Sequence, residues 1–171
     1  MVSKTKYMKR LTKYIVAVIL VFFLQNCKDE DLSLQRVPYT GAEVRMDGYF
    51  YHHWKSFNSS VVDNTTVFFL YKNGIILSAG SFESINLDTV ENMMLGRYGS
   101  IVKSKSGWGV FIVTGNMIEY EQWSTSVGGG LPIFKNTYNI ENDTTLINPS
   151  GNVYHFRQFS PKPDSTNSFI K

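Results

Sequence analysis

Short runs of β-branched and aromatic residues, separated by turn-forming residues, occupy most of the chain from residue 47 onward. The runs on either side of Asn73-Gly74 and of Gly115-Asn116 are typical of hairpins, because these pairs adopt the tight turns that two antiparallel strands need. Eight candidate strands can be delimited in this way. Tight turns join only antiparallel neighbours, so the sequence predicts an antiparallel meander.

Such a meander must protect its edge strands, and closing into a barrel is the simplest solution. We therefore expect a mainly β fold, a small lipocalin-like barrel, with a two-sheet sandwich as the alternative. The one longer connection, 83–107, contains a candidate helix with Asp88 as N-cap, Glu91 three residues later and Gly96 as its end.

The amino-terminal residues have the pattern of an export signal. Five basic residues and no acid precede the uncharged run Tyr14–Leu24. The run has eleven residues, whereas a membrane-spanning helix needs about 20. A basic head followed by a short apolar core predicts a signal peptide over 1–26.

The only cysteine of the chain, Cys27, follows this apolar core in the string "LQNC". This string resembles the lipobox of bacterial lipoproteins, with Leu24 at the usual apolar position. The resemblance implies that Cys27 is acylated, for example with palmitate, and anchors the protein to the outer membrane. The following "KDED" resembles the tag that exports some lipoproteins to the cell surface; the periplasmic leaflet is the alternative.

Removal of residues 1–26 would change the charge of the protein. All 14 acidic residues but only 12 of the 17 basic residues follow Cys27, so the net charge falls from +3 to −2. A slightly acidic chain lacks the basic surface that nucleic acids require, and we expect no nucleic-acid partner. Residues 27–43 are predicted to form the lipidated cysteine and a flexible tether, and 44–171 a single β domain.

Signals of catalysis are weak in this sequence. The chain has no Gly-x-Ser-x-Gly elbow, and we predict no catalytic residue, no metal and no cofactor. His52 and His155 could meet if the first and last strands pair, but two ligands are fewer than zinc requires. Glu119 and Glu121 share one strand face, which leaves an enzyme acting on envelope glycan or lipid as an alternative.

Aromatic residues make up 15% of the chain, and three tryptophans near strand ends are candidate ligand contacts: Trp54, Trp108 and Trp123. The glycines Gly128, Gly129 and Gly130 are candidates for a mobile loop at the barrel mouth. Thr89, Thr144 and Ser165 lie in Asp-Thr/Ser strings that resemble bacterial O-glycosylation acceptors.

The body, about 47–170, also resembles uncharacterised β-rich lipoprotein domains through strings such as "WGVF…GNMI", "NDTT" and "KPDST". That resemblance implies a fold and no chemistry. The predicted function is a surface-anchored, non-enzymatic module that binds a small apolar or glycan ligand or an envelope protein. The alternatives are the enzyme just described and a structural subunit of an envelope complex.

Overall fold

The computed structural model describes residues 29–56, 62–126 and 130–171. Eight strands follow one another along the chain, and each is antiparallel to the next; β8 also pairs with β1, so that the sheet closes into a barrel. The strands are β1 (Gly48–Ser56), β2 (Val62–Leu70), β3 (Ile75–Phe82), β4 (Trp108–Thr114), β5 (Met117–Trp123), β6 (Ile133–Asn142), β7 (Thr145–Ile147) and β8 (Val153–Gln158). The predicted small barrel is confirmed, and the sandwich alternative is wrong.

Both surfaces of part of the barrel wall are buried, which explains the density of large apolar residues. In β2, Phe68 and Leu70 point inward and Val67 and Phe69 point outward, and all four are buried. The inner core contains Phe50, Phe68, Leu70, Ile76, Phe111, Ile118, Tyr120, Tyr138 and Leu146. The outer core contains Tyr49, Val67, Phe69, Leu77, Phe82, Val90, Met94, Trp108 and Trp123.

The single described helix, α1 (Leu87–Lys103), lies on the outer surface between β3 and β4. It begins two residues earlier than predicted, since Asn86 and not Asp88 accepts the hydrogen bond from the backbone N–H of Thr89. It also continues through Gly96 to a cap at Ser104. Residues of its last turns pack on the outer core, and this packing outweighs the roughly 1 kcal/mol penalty of a helical glycine. No described helix has the length and apolar character needed to cross a membrane.

The two ends of the barrel differ. We call the end with the Asn73-Gly74 turn and the β6–β7 turn the closed end, because Val44 is packed in the inner core there and the backbone N–H of Arg45 bonds to the carbonyl of Asp143. The opposite end, where β5 finishes at Trp123 and β6 begins at Ile133, we call the open end.

The segment 29–46 connects the two ends along the outer wall. It starts beside the open end, where the Glu30 N–H bonds to the Leu131 carbonyl. It continues past Glu121, which accepts hydrogen bonds from the N–H groups of Ser33 and Leu34, and reaches Lys72 at the closed end through the Tyr39 N–H. The described part of the predicted tether, residues 29–43, is therefore bound to the barrel along its length.

Candidate ligand-binding site at the open end of the barrel

A cavity of about 380 Å³ lies inside the barrel near its open end. Besides three tyrosines, six of its lining residues carry neutral hydrogen-bonding side chains, namely Thr66, Ser78, Gln122, Asn136, Asn148 and Ser150. None of the residues that line the cavity carries a formal charge. Its volume is at the lower end of the range for small-molecule sites, about 300–1,000 Å³, so it suits a small uncharged ligand.

Aromatic rings form the floor of this cavity. Phe50, Phe68, Tyr138 and Tyr120 stack in a row, with centroids 5.6, 5.3 and 5.4 Å apart and interplanar angles of 18°, 13° and 8°. The ring of Tyr154 meets that of Tyr138 edge-on at 5.0 Å. Offset stacking and edge-to-face contacts are the favoured arrangements of aromatic rings, and this packing fixes the side chains that a ligand would touch.

The tyrosine hydroxyls of the floor are protonated hydrogen-bonding groups. The hydroxyl oxygens of Tyr120 and Tyr138 are 3.4 Å apart. Burial raises the pKa of Tyr138 far above its usual value, and burial also raises the pKa values of Tyr120 and Tyr154. Each hydroxyl can therefore both donate and accept a hydrogen bond at neutral pH.

Two exposed aromatic side chains stand at the mouth. Phe134, near the start of β6, lines the cavity and is 46% exposed. Trp54, near the end of β1, is 39% exposed, and its indole N–H donates to the Thr66 hydroxyl at 3.0 Å. His52, two residues before Trp54, lies 5.0 Å from the ring of Tyr154. Trp54 is thus the tryptophan that the structure places beside the cavity.

Trp108 and Trp123, the other two predicted ligand contacts, do not line this cavity, because both point outward from the barrel. Trp108 is fully buried in the outer core, and its indole N–H donates to the Val102 carbonyl at the end of α1. Trp123 is covered by the N-terminal segment, and its N–H donates to the Glu30 carbonyl at 2.7 Å. These two residues stabilise the attachment of peripheral segments.

Of the predicted glycine loop the structure describes Gly130, which precedes β6 at the open end. Gly130 has a positive φ of 72°, which suits a residue without a Cβ. Gly128 and Gly129 lie outside the described residues.

The polar residues of the cavity were not among the residues that the sequence predicted for a site. A signal for them exists, because Gln122 and Asn136 occupy the same alternation phase as Tyr120 and Tyr138, whose side chains point inward. A polar residue in the inward phase of a strand has to find a partner inside the barrel. Which of the two alternating sets of side chains faces the interior is decided only by closure of the barrel.

The carboxylates of the enzyme alternative lie on the outer wall of β5. Glu119 is exposed, whereas Glu121 is 3% exposed. Burial raises the pKa of Glu121, but the hydrogen bonds from Lys135, from the Ser33 hydroxyl and from the N–H groups of Leu34 and Ser33 outweigh it and lower the pKa to about 2. A carboxylate held ionised in this way is not a general acid at neutral pH.

The histidines are divided between the two sides of the wall. In the β1–β8 pair, Tyr51 lies opposite His155. Because paired residues point to the same side of a sheet, His155 points outward, as Tyr51 and His53 do. His52 points inward, and its Nδ1 lies 2.9 Å from the Val153 carbonyl. His52 and His155 therefore do not meet, and no group of three or more His, Cys, Asp or Glu converges in the described part of the chain.

The candidate O-glycosylation residues lie in three separate places. Thr89 is exposed in the first turn of α1. Thr144 is half-buried in the β6–β7 turn and donates to Asn142. Ser165 is half-buried and accepts a hydrogen bond from Asn73.

A second cleft, of about 530 Å³, lies at the closed end, and its lining includes Phe111 of the inner core. It is formed mainly by the strap Val37–Glu43 where this crosses the β4–β5 hairpin. The cleft thus lies between residues 37–43 and the closed end of the barrel.

Comparison with known proteins adds nothing to this geometry: no protein-family model, no curated protein and no solved structure matches the chain. The predicted signal peptide and the predicted lipidation site Cys27 lie outside the described residues.

Proposed function

We propose that the protein is a lipid-anchored, non-enzymatic binding protein of the bacterial outer membrane. The anchor is Cys27, with the cell-surface leaflet favoured by the "KDED" string. The ligand site is the cavity at the open end, and the ligand is a small, uncharged molecule rich in hydroxyl groups, such as a sugar unit.

The observation that supports this ligand class is the lining of the cavity. Amides and hydroxyls from six residues surround a floor of tyrosine and phenylalanine rings, with no charge among them. Neutral donors and acceptors match the hydroxyls of a sugar, and its C–H faces can rest on aromatic rings. A long apolar ligand would leave those polar groups without partners, at a cost of about 1–3 kcal/mol for each.

The anchor is tested by metabolic labelling with palmitate in the bacterium that produces the protein. We expect the label to be incorporated into the native chain and lost in Cys27→Ser. Undiminished label in that variant would contradict the lipid anchor.

The site is tested by adding methyl glucosides or laurate to the mature chain and measuring binding through the fluorescence of Trp54. Asn136→Leu places an apolar side chain in the cavity and should weaken saccharide binding about tenfold or more, since one lost buried hydrogen bond is worth about 1–3 kcal/mol. Asn139→Leu, on the exposed outer face of the same strand, is the matched control and should leave binding unchanged. Binding of laurate alone would contradict the proposed ligand class.

A further inference from the structure

The start of the described chain is fixed to the rim of the open end. The indole N–H of Trp123, the last residue of β5, donates to the Glu30 carbonyl. The backbone N–H of Ile133, the first residue of β6, donates to the Glu30 carboxylate at 3.0 Å. Asp29 forms an ion pair with Lys105 at 2.9 Å. These contacts, made by groups on several elements, hold residues 29 and 30 beside the mouth of the cavity.

The distance from this point to the anchor is limited by the covalent chain. Cys27 precedes Asp29 by two residues, and each residue spans at most about 3.6 Å. The Cα atom of Cys27 therefore lies within about 7 Å of that of Asp29. The barrel is much longer, since the seven residues of β5 extend about 20 Å at roughly 3.3 Å per residue. An anchor at Cys27 can reach the open end and not the closed end.

We propose that the lipid anchor holds the open end of the barrel against the bilayer, and that the ligand is the hydroxyl-rich headgroup of a membrane glycolipid. This inference rests on the proposed function, namely on the lipidation of Cys27 and on the cavity as the ligand site. It adds the source of the ligand, which enters the cavity from the membrane surface and not from bulk solution.

The side chains at the mouth suit such a position. Trp54 and Phe134 are 39% and 46% exposed at this end, and aromatic side chains are favoured at the membrane–water interface. Both are linked to the cavity, Phe134 as part of its lining and Trp54 through Thr66. They would contact the interface while the uncharged interior receives the headgroup.

One of the acids near the anchor is compensated within the fold. Asp29 forms an ion pair with Lys105, which reduces its repulsion from an anionic surface. The carboxylate of Glu30 accepts the Ile133 N–H, an uncharged donor, and so keeps its charge.

The orientation is tested with the lipidated mature chain in vesicles of phosphatidylethanolamine and phosphatidylglycerol that contain a nitroxide-labelled lipid. The signal of Trp54 is obtained as the difference between the native chain and Trp54→Phe. We expect strong quenching of Trp54. The control is Met117→Trp in the Trp54→Phe background, because Met117 is 38% exposed at the opposite end of β5 and should be quenched little.

An insertion gives the second orientation test. A flexible Gly/Ser segment of about 20 residues between Lys28 and Asp29 has a typical end-to-end distance of about 25 Å. It should release the open end from the membrane and reduce the quenching of Trp54 to the level of the Met117→Trp control. Equal quenching at both ends, or quenching that the insertion does not change, would overturn the proposed orientation.

The source of the ligand is tested by adding glucosyl diacylglycerol to the vesicles or methyl glucoside to the solution, with the emission of Trp54 as the signal. The inserted segment should weaken the response to the glycolipid about tenfold or more, because it lowers the effective concentration of the headgroup at the cavity. The response to methyl glucoside should be the same with and without the insertion. Binding of methyl glucoside without any response to the glycolipid would overturn the membrane source and leave the proposed function intact. No response to either would contradict both.

Discussion

At the scale of single residues, Glu121 shows how a charge can serve the fold. Its carboxylate accepts hydrogen bonds from the N–H groups of Ser33 and Leu34 and from the Ser33 hydroxyl, and it forms an ion pair with Lys135 at 2.6 Å. A buried carboxylate with this many donors is stabilised in its ionised form. Glu121 therefore binds the segment 29–46 to the barrel wall.

The pH dependence of stability should reveal this role. The folded pKa of Glu121 is lowered from 4.5 to about 2, so its contribution is fully present above pH 4.5 and is lost as the pH falls toward 2. One pKa unit corresponds to about 1.4 kcal/mol, but the side chain of Lys135 is 60% exposed and solvent screens that ion pair. We expect Glu121→Gln to lower the free energy of unfolding by about 2 kcal/mol at pH 7 and by much less near pH 2.5.

Urea denaturation at both pH values measures this difference. Glu119→Gln, on the same outer face of β5 but exposed, is the matched control and should change the unfolding free energy by less than about 0.5 kcal/mol. A loss for Glu121→Gln that is as large near pH 2.5 as at pH 7 would show that the ionised carboxylate is not what holds the segment.

At the scale of elements, α1 shows how packing overrides a local stop signal. Gly96 lies in the middle of the helix and is exposed, and the space around an added Cβ is empty. The helix continues because Val90 and Met94 are buried and Ile101 and Val102 pack on the outer core. Gly96 therefore lowers helix stability without ending the helix.

Gly96→Ala should raise the free energy of unfolding by about 0.5–1 kcal/mol, because alanine loses less backbone freedom on folding. Thermal or urea denaturation of the full chain measures the gain. A decrease in stability would contradict the helical conformation at this position.

Gly80→Ala is the matched control for that substitution. Gly80 is also exposed with nothing near an added Cβ, but its φ is +86° at the irregularity between β2 and β3. The same methyl group should there lower the free energy of unfolding by about 1–2 kcal/mol. Because neither added methyl group contacts a neighbour, the opposite signs of the two changes in unfolding free energy would follow from backbone conformation alone.

At the scale of the whole molecule, the segment 29–46 packs on the barrel as a component of the fold. It lies on the outer wall, covers one end through Val44 and is bound beside the other end through Glu30. The C-terminal segment supports the same closed end, where the ammonium of the half-buried Lys162 donates to the carbonyls of Met46 and Leu70. Both terminal segments thus contact the barrel at its closed end.

Val44→Ala tests the closure. Val44 is 4% exposed in the inner core, and removing two buried methyl groups should lower the free energy of unfolding by about 1–3 kcal/mol. Val37→Ala is the same change in the same segment at a side chain that is 53% exposed, and it should have little effect. Equal, small effects of both substitutions on urea denaturation would show that the segment is not packed in the barrel.

The sequence was sufficient for the strands and for the order of their pairing. Alternation of side chains and turn pairs such as Asn73-Gly74 are local signals, because they depend on residues a few positions apart. They predict eight strands and an antiparallel meander, and closure follows from the need to pair the edges. The approximate position of α1 was predictable for the same reason, whereas its ends depended on packing.

The candidate site was decided by tertiary structure. Trp54, Trp108 and Trp123 are equivalent in the sequence as aromatic residues near strand ends, but one stands at the mouth and two are buried on the outer wall. The indole of Trp123 is covered by Glu30, which is 93 positions away along the chain. Contacts of this kind form only when the closed barrel brings distant segments together. Local patterns therefore determined the strands, and long-range packing determined which of their side chains can meet a ligand.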